Sequence, residues 1–132
     1  MPLRFLRLFL FSAAIGWGVT GVGIFASWPQ VNVIAQGMGA KPIAYDPMLD
    51  YWLRMISGAF ALVGLWYLAL ALWPRKFAAA IPWFGAIMLA EGVILLAHGL
   101  RLGLGPFPFY GDVSACLILG AGILFLSRAA RS

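Results

Sequence analysis

Glu91 is the residue with the most chemistry to offer, because of where it stands. The nine residues from Pro82 to Ala90 carry no charge, and the next ionisable group after Glu91 is His98. A charged side chain at the centre of a bilayer costs about 2.5–3.5 kcal/mol on insertion scales, so a carboxyl in such a run is expected to face the interior of a helix bundle and is a candidate ligand or proton site. The alternative is glue, in which the carboxyl bonds a neighbouring helix through Tyr67 or a backbone carbonyl. Interhelical bonds of this kind average about 0.6 kcal/mol, which compensates the insertion cost poorly.

His98 follows Glu91 by seven residues, which on a helix is nearly the same face about 10.5 Å further along. That spacing is too long for a direct acid–base pair. It suits a proton relay from a polar mouth, or a solvated interfacial histidine. Asp50 and Arg54 stand at i, i+4 with the acid first, the better order for a helical ion pair. With Arg101 and Asp112 they are the candidate outer polar mouth above Glu91. Trp17, Trp66 and Tyr67 fall near the level of Glu91 and are candidates to line a small cavity there; Arg54, Trp17 and Tyr67 therefore join Glu91 and His98 as candidate site residues.

Glycines set a competing expectation at the same depth. Gly85, Gly92 and Gly99 repeat every seven residues beside the Glu91–His98 stripe, a strip on which another helix can approach closely. Gly16 and Gly18, Gly64, and Gly120 fall near mid-span of the other helices. Close helix packing explains this pattern better than a cavity does, because membrane helices are rich in glycine in any case.

No other catalytic kit is present. The chain holds one His, one Cys and four acidic residues, with no HExxH, no Cys/His cluster, no nucleophile elbow and no phosphate-binding loop. No metal or cofactor is expected. The lone Cys116 permits neither an internal disulfide nor a CxxC redox pair. The net charge of +5 comes from nine basic residues with no run of three, so nucleic acid is not an expected partner.

The elements that must position these residues follow from composition. Of 132 residues 64% are hydrophobic and 10% charged, against roughly 25% charged in soluble domains, and the mean hydropathy is +0.97. This is lipid-facing material, enough for one domain: an all-α integral membrane four-helix bundle with the lipid bilayer as its first partner. Four spans are expected, at about residues 5–27, 51–73, 80–100 and 112–127. Pro82 stands in the first turn of the third, and Asp112 is the expected N-cap of a short fourth helix of about 16 residues.

Basic residues orient the spans. Arg4 and Arg7 precede the first, Arg75 and Lys76 lie between the second and third, and Arg128 and Arg131 follow the fourth. These positions share a side only if the crossings are even in number, and the positive-inside rule then puts both termini in the cytoplasm. A cleaved signal peptide is the alternative for the first span; no convincing small-x-small cleavage site follows its core, and its apolar run of about 20 residues exceeds the usual 7–15. The outer connections are expected at residues 28–50, an apolar stretch lying along the interface, and at 101–111, too rich in Gly and Pro for a helix, whose Phe107, Phe109 and Tyr110 serve as interfacial anchors or, alternatively, as a lid or docking surface.

Ile87-Met88-Leu89-Ala90-Glu91-Gly92-Val93-Ile94 resembles the glutamate-bearing helix of small multidrug-resistance transporters, four-helix proteins of similar size that exchange protons for cationic drugs; in that family the glutamate is on the first helix. The whole chain, and Leu53-Arg54-Met55-Ile56-Ser57-Gly58-Ala59-Phe60-Ala61-Leu62-Val63-Gly64-Leu65 in particular, resembles a group of small four-helix bacterial membrane proteins labelled domain of unknown function 4345. That resemblance implies a fold and a bacterial inner membrane, and no activity. The expected function is a non-enzymatic accessory subunit of a membrane complex, in contact with a membrane-protein partner or a second copy, or a binder of a small hydrophobic ligand. The rival is a proton-coupled transporter using Glu91, and last comes a membrane enzyme acting on lipid or quinone.

Overall fold

The computed structural model describes residues 1–131, and among these the regular structure is entirely helical. Five α-helices follow in order: α1 (Pro2–Gly18), α2 (Trp28–Gly37), α3 (Pro47–Leu72), α4 (Ile81–Leu102) and α5 (Pro106–Leu126). A 3-10 stretch, Val19–Ile24, prolongs α1, and another, Ser127–Ala130, prolongs α5. Four of the resulting rods, Pro2–Ile24, Pro47–Leu72, Ile81–Leu102 and Pro106–Ala130, are long and apolar enough to cross a membrane. Their exteriors carry large apolar side chains such as Leu62, Leu65, Ile87, Val93, Ile118 and Phe125. A surface of this kind is at home in hydrocarbon.

The chain folds as two compact units, residues 14–66 and residues 1–13 together with Tyr67 onward. In the second unit α4 packs along α5. The buried positions on α5, Phe109, Val113, Cys116, Gly120 and Ile123, alternate in steps of four and three, as do Ile81, Gly85, Met88 and Gly92 on α4. This is the heptad register of left-handed helix pairs. Leu6, Leu10 and Ala13 of α1, and Tyr67, Leu70 and Ala71 of α3, are buried in the same unit.

Several helix ends differ from expectation. Helix α5 begins at Pro106, so Asp112 lies inside it as an exposed residue rather than capping it. Phe107 is extended (φ −109°, ψ 133°), a kink that sets Pro106 apart from the continuous helix, which starts at Pro108, where a first-turn proline gives up no intrahelical bond. The fourth span therefore has 25 residues instead of about 16. What was expected as a long second outer connection is reduced to Gly103–Gly105 between α4 and α5. Gly103 ends α4 in the left-handed region at φ 60°, with Gly103 N–H on Leu100 O and Leu104 N–H on Gly99 O, a Schellman ending.

The expected first outer connection holds a helix. Ser27 starts α2, donating from its N–H to Gln30 Oε1 at 2.8 Å and from its hydroxyl at 3.0 Å. Pro29 sits in the first turn, and Gly39 at φ 94° closes the far end, with Ala40 N–H on Ala35 O. At the first span's end, Gly21 and Gly23 supply little helix propensity, and the Thr20 hydroxyl bonds the Trp17 carbonyl at 2.6 Å. The stretch there tightens to 3-10 geometry. Arg4 and Arg7, expected ahead of the first helix, stand exposed in its first two turns, since α1 starts at Pro2.

Candidate functional site

The polar constellation that is fully assembled belongs to residues 14–66. Arg54, on α3, extends its guanidinium to the end of the first span, where carbonyls are left without helical partners. Its Nη1 donates to Gly23 O at 2.6 Å and also to Ala26 O, while Nη2 pairs with Asp50 Oδ1 at 2.7 Å. The planar fork can reach acceptors on two sides at once, which an ammonium cannot do in the same way. The i, i+4 pair expected from sequence is thus present, and its partners fix what Arg54 does: it ties α3 to the carbonyl end of the first span.

The same face brings backbones together. A Cβ on Gly64 would lie 2.7 Å from the Cα and N of Gly18 and 3.0 Å from Ala14 O, and one on Gly21 would lie 3.1 Å from the Ala61 methyl. Gly23 meets the buried Ser57 side chain. A Cβ on Gly16, expected at a helix contact, would meet open space, as would one on Gly18, whose backbone rather than its Cβ position is what Gly64 approaches. Trp17 packs edge-on against Phe60 with centroids 5.0 Å apart. It is a packing residue within its unit.

Tyr67, Glu91 and His98 belong to the other unit. The buried Tyr67 hydroxyl donates to the Phe84 carbonyl of α4 at 2.9 Å, and the two rings meet edge to face at 5.3 Å. Tyr67 is therefore not the donor to Glu91. Glu91 is partly buried beside the glycine stripe, within electrostatic reach of the Cys116 thiol on α5, and among the described residues its carboxyl makes no hydrogen bond or ion pair. His98, Arg101 and Asp112 are exposed and form no ion pair with one another among the described residues, while Asp50 is engaged by Arg54.

The glycine stripe of α4 is buried along α5. A Cβ on Gly85 would meet the backbone of Leu124 at 3.0 Å, one on Gly92 the Leu117 side chain at 2.8 Å, and the Phe109 ring lies against Gly99. From the other side, a Cβ on Gly120 would meet Leu89 N at 2.9 Å. These glycines position α4 so that Glu91 lies at the edge of the α4–α5 contact, next to the exposed Ala90.

Sequence reasoning missed two features of the first unit. One is Asn32, whose side-chain amide pairs with the Ile43 peptide in both directions, at 2.7 Å to its carbonyl and 3.0 Å from its N–H. With Trp28 Nε1 on the same carbonyl and Trp28 stacked edge-on to Tyr45, it fastens the segment before α3 onto α2. The Ser27-Trp28-Pro29-Gln30 capping signature was the available signal for α2. The other is an open groove of about 610 Å³ lined by Val22, Phe25, Ala26, Pro29, Gln30, Val33 and Ile34.

Among the described residues no group of His, Cys, Asp and Glu is placed to hold a metal ion. The fold is all-helical among the described residues, with four helices long and apolar enough to cross a membrane. No family model, curated protein or solved structure matches the chain.

Proposed function

We propose that the chain is a non-enzymatic four-span protein of the bacterial inner membrane with both termini cytoplasmic, and that it serves as an accessory subunit whose α4 presents Glu91 to a partner membrane helix. The observation that carries this is the state of Glu91: a mid-helix carboxyl, partly exposed, with no hydrogen bond or ion pair among the described residues. A carboxyl of that kind at bilayer depth is costly until something hydrogen-bonds it. The small exposed residues Ala86, Ala90 and Ala97 on α4 allow another helix to come close beside it. Orientation rests on Arg4 and Arg7, Arg75 and Lys76, and Arg128 and Arg131 lying at alternate ends of the spans.

The test is purification of the full chain in a mild detergent, with Glu91→Gln and Glu91→Leu alongside the parent. A stoichiometric membrane partner, or a second copy, should stay with the parent and with Glu91→Gln, whose amide still bonds, and be lost from Glu91→Leu. A parent chain that elutes alone, or a partner that Glu91→Leu retains equally, overturns the proposal. Proton-driven uptake of a solute that disappears in Glu91→Gln would replace the subunit by a transporter.

A further inference from the structure

We propose that the groove between the end of the first span and α2 is a seat for lipid acyl chains, holding α2 flat in the boundary between hydrocarbon and headgroups. This rests on the membrane-spanning part of the proposed function and is independent of Glu91. Of the seven lining residues six are apolar, and the amide oxygen of the seventh, Gln30, is already taken by Ser27. Phe25 is 87% exposed and Val33 71%, so the groove presents large apolar side chains that none of the described residues covers.

The orientation of α2 is fixed by its other side. Asn32 and Trp28 are committed to the Ile43 peptide and Tyr45, which leaves Val33 and Ile34 as the helix's free apolar edge. That edge is continuous with the flank of the first span, because Val22 belongs to the span and to the groove alike. Depth follows from chain position. The first span ends at Ile24, α2 begins at Trp28, and the next span begins at Pro47. Trp28, Tyr45, Tyr51 and Trp52 flank these ends, the residue types that collect at headgroup level. An apolar groove at that depth, opening onto a lipid-facing flank, takes acyl chains as its occupant.

Site-directed spin labelling tests this. In a Cys116→Ala background, single cysteines at Val33, Ile34, Gln36 and Ala40 carry nitroxides in phosphatidylcholine/phosphatidylglycerol vesicles, with Leu62 and Ile118 as labelled span positions. Collision with oxygen should exceed collision with a water-soluble nickel chelate several-fold at 33 and 34, as at 62 and 118, and the order should reverse at 36 and 40. Chelate access at 33 and 34 equal to that at 36 and 40 overturns the proposal. So does poor access for both reagents, which would mean that protein covers the groove. Chelate access at 62 and 118 as well would instead overturn the membrane-spanning reading. If the Cys116→Ala chain fails to fold, the same labels are read with the buried Cys116 in place and the unsubstituted chain as blank.

Discussion

Replacing Arg54 by Met keeps the stem of the side chain and removes every donor at its head. Three acceptors lose a partner: Gly23 O, Ala26 O and Asp50 Oδ1. Hydrogen bonds from a charged group are worth about 1.5–3 kcal/mol each, whereas bonds between helices in membranes average about 0.6 kcal/mol. Two carbonyls left without a donor at a helix end therefore place the loss at about 2–4 kcal/mol, counting them as one coupled group. The Asp50 pair adds less. Arg54 and Asp50 side chains are 29% and 26% exposed, which puts their ion pair within the range of about 0–1 kcal/mol typical of solvated pairs. Asp50→Asn should accordingly cost under about 1 kcal/mol, and Arg54→Lys should fall between the two, since a point charge serves the carbonyls without the fork. The measurement is unfolding in mixed micelles of rising dodecyl sulfate content, followed by circular dichroism. If Asp50→Asn costs as much as Arg54→Met, the ion pair and not the carbonyl clamp is what Arg54 contributes, and the reasoning fails.

Other outcomes follow from the same geometry. Gly64→Ala should destabilise strongly, by about 2 kcal/mol or more as for overpacked cores, because its Cβ would meet Gly18 backbone, whereas Gly16→Ala, in open space, should be neutral or stabilising; the same micelle titration separates them. Tyr67→Phe should cost about 0.6 kcal/mol, and under about 1.7, the measured range for interhelical bonds, as it loses only the bond to Phe84 O. Asn32→Ala should leave the spans intact and speed amide exchange at Ile43, read by hydrogen–deuterium exchange.

Much of the architecture was legible because spanning helices are set by length and hydropathy, quantities that a single sequence carries in full. The Asp50–Arg54 pair was legible for the same reason: i, i+4 spacing is local. The α4 glycines were legible as a stripe, although nothing local names the helix they meet. What escaped were features decided by chain segments far apart. The carbonyls that Arg54 holds lie 28 and 31 residues away, and backbone acceptors leave no mark in residue types. Gly18 and Gly16 are indistinguishable until the rotation of α1 is known. The start of α2 was hidden because the expected first span ends at Ser27 with a connection after it, which masked a Ser-x-x-Gln signature. The start of α5 was hidden by Pro106 and Pro108, read as breakers although a helix's first turn accepts proline. Glu91 was legible as unusual; its lack of a bonding partner within the described chain is a fact of packing.

The Arg54 clamp also has a meaning in time. The chain is made from its N-terminus, so the carbonyls of Gly23 and Ala26 leave the ribosome before the guanidinium that will hold them. Until α3 has been synthesised to its second turn, the first span carries a loose, glycine-rich end. Arg54 then acts as a latch that closes the growing hairpin, and a variant lacking it should be degraded by membrane proteases during biogenesis more readily than the parent, in addition to its lower stability once made.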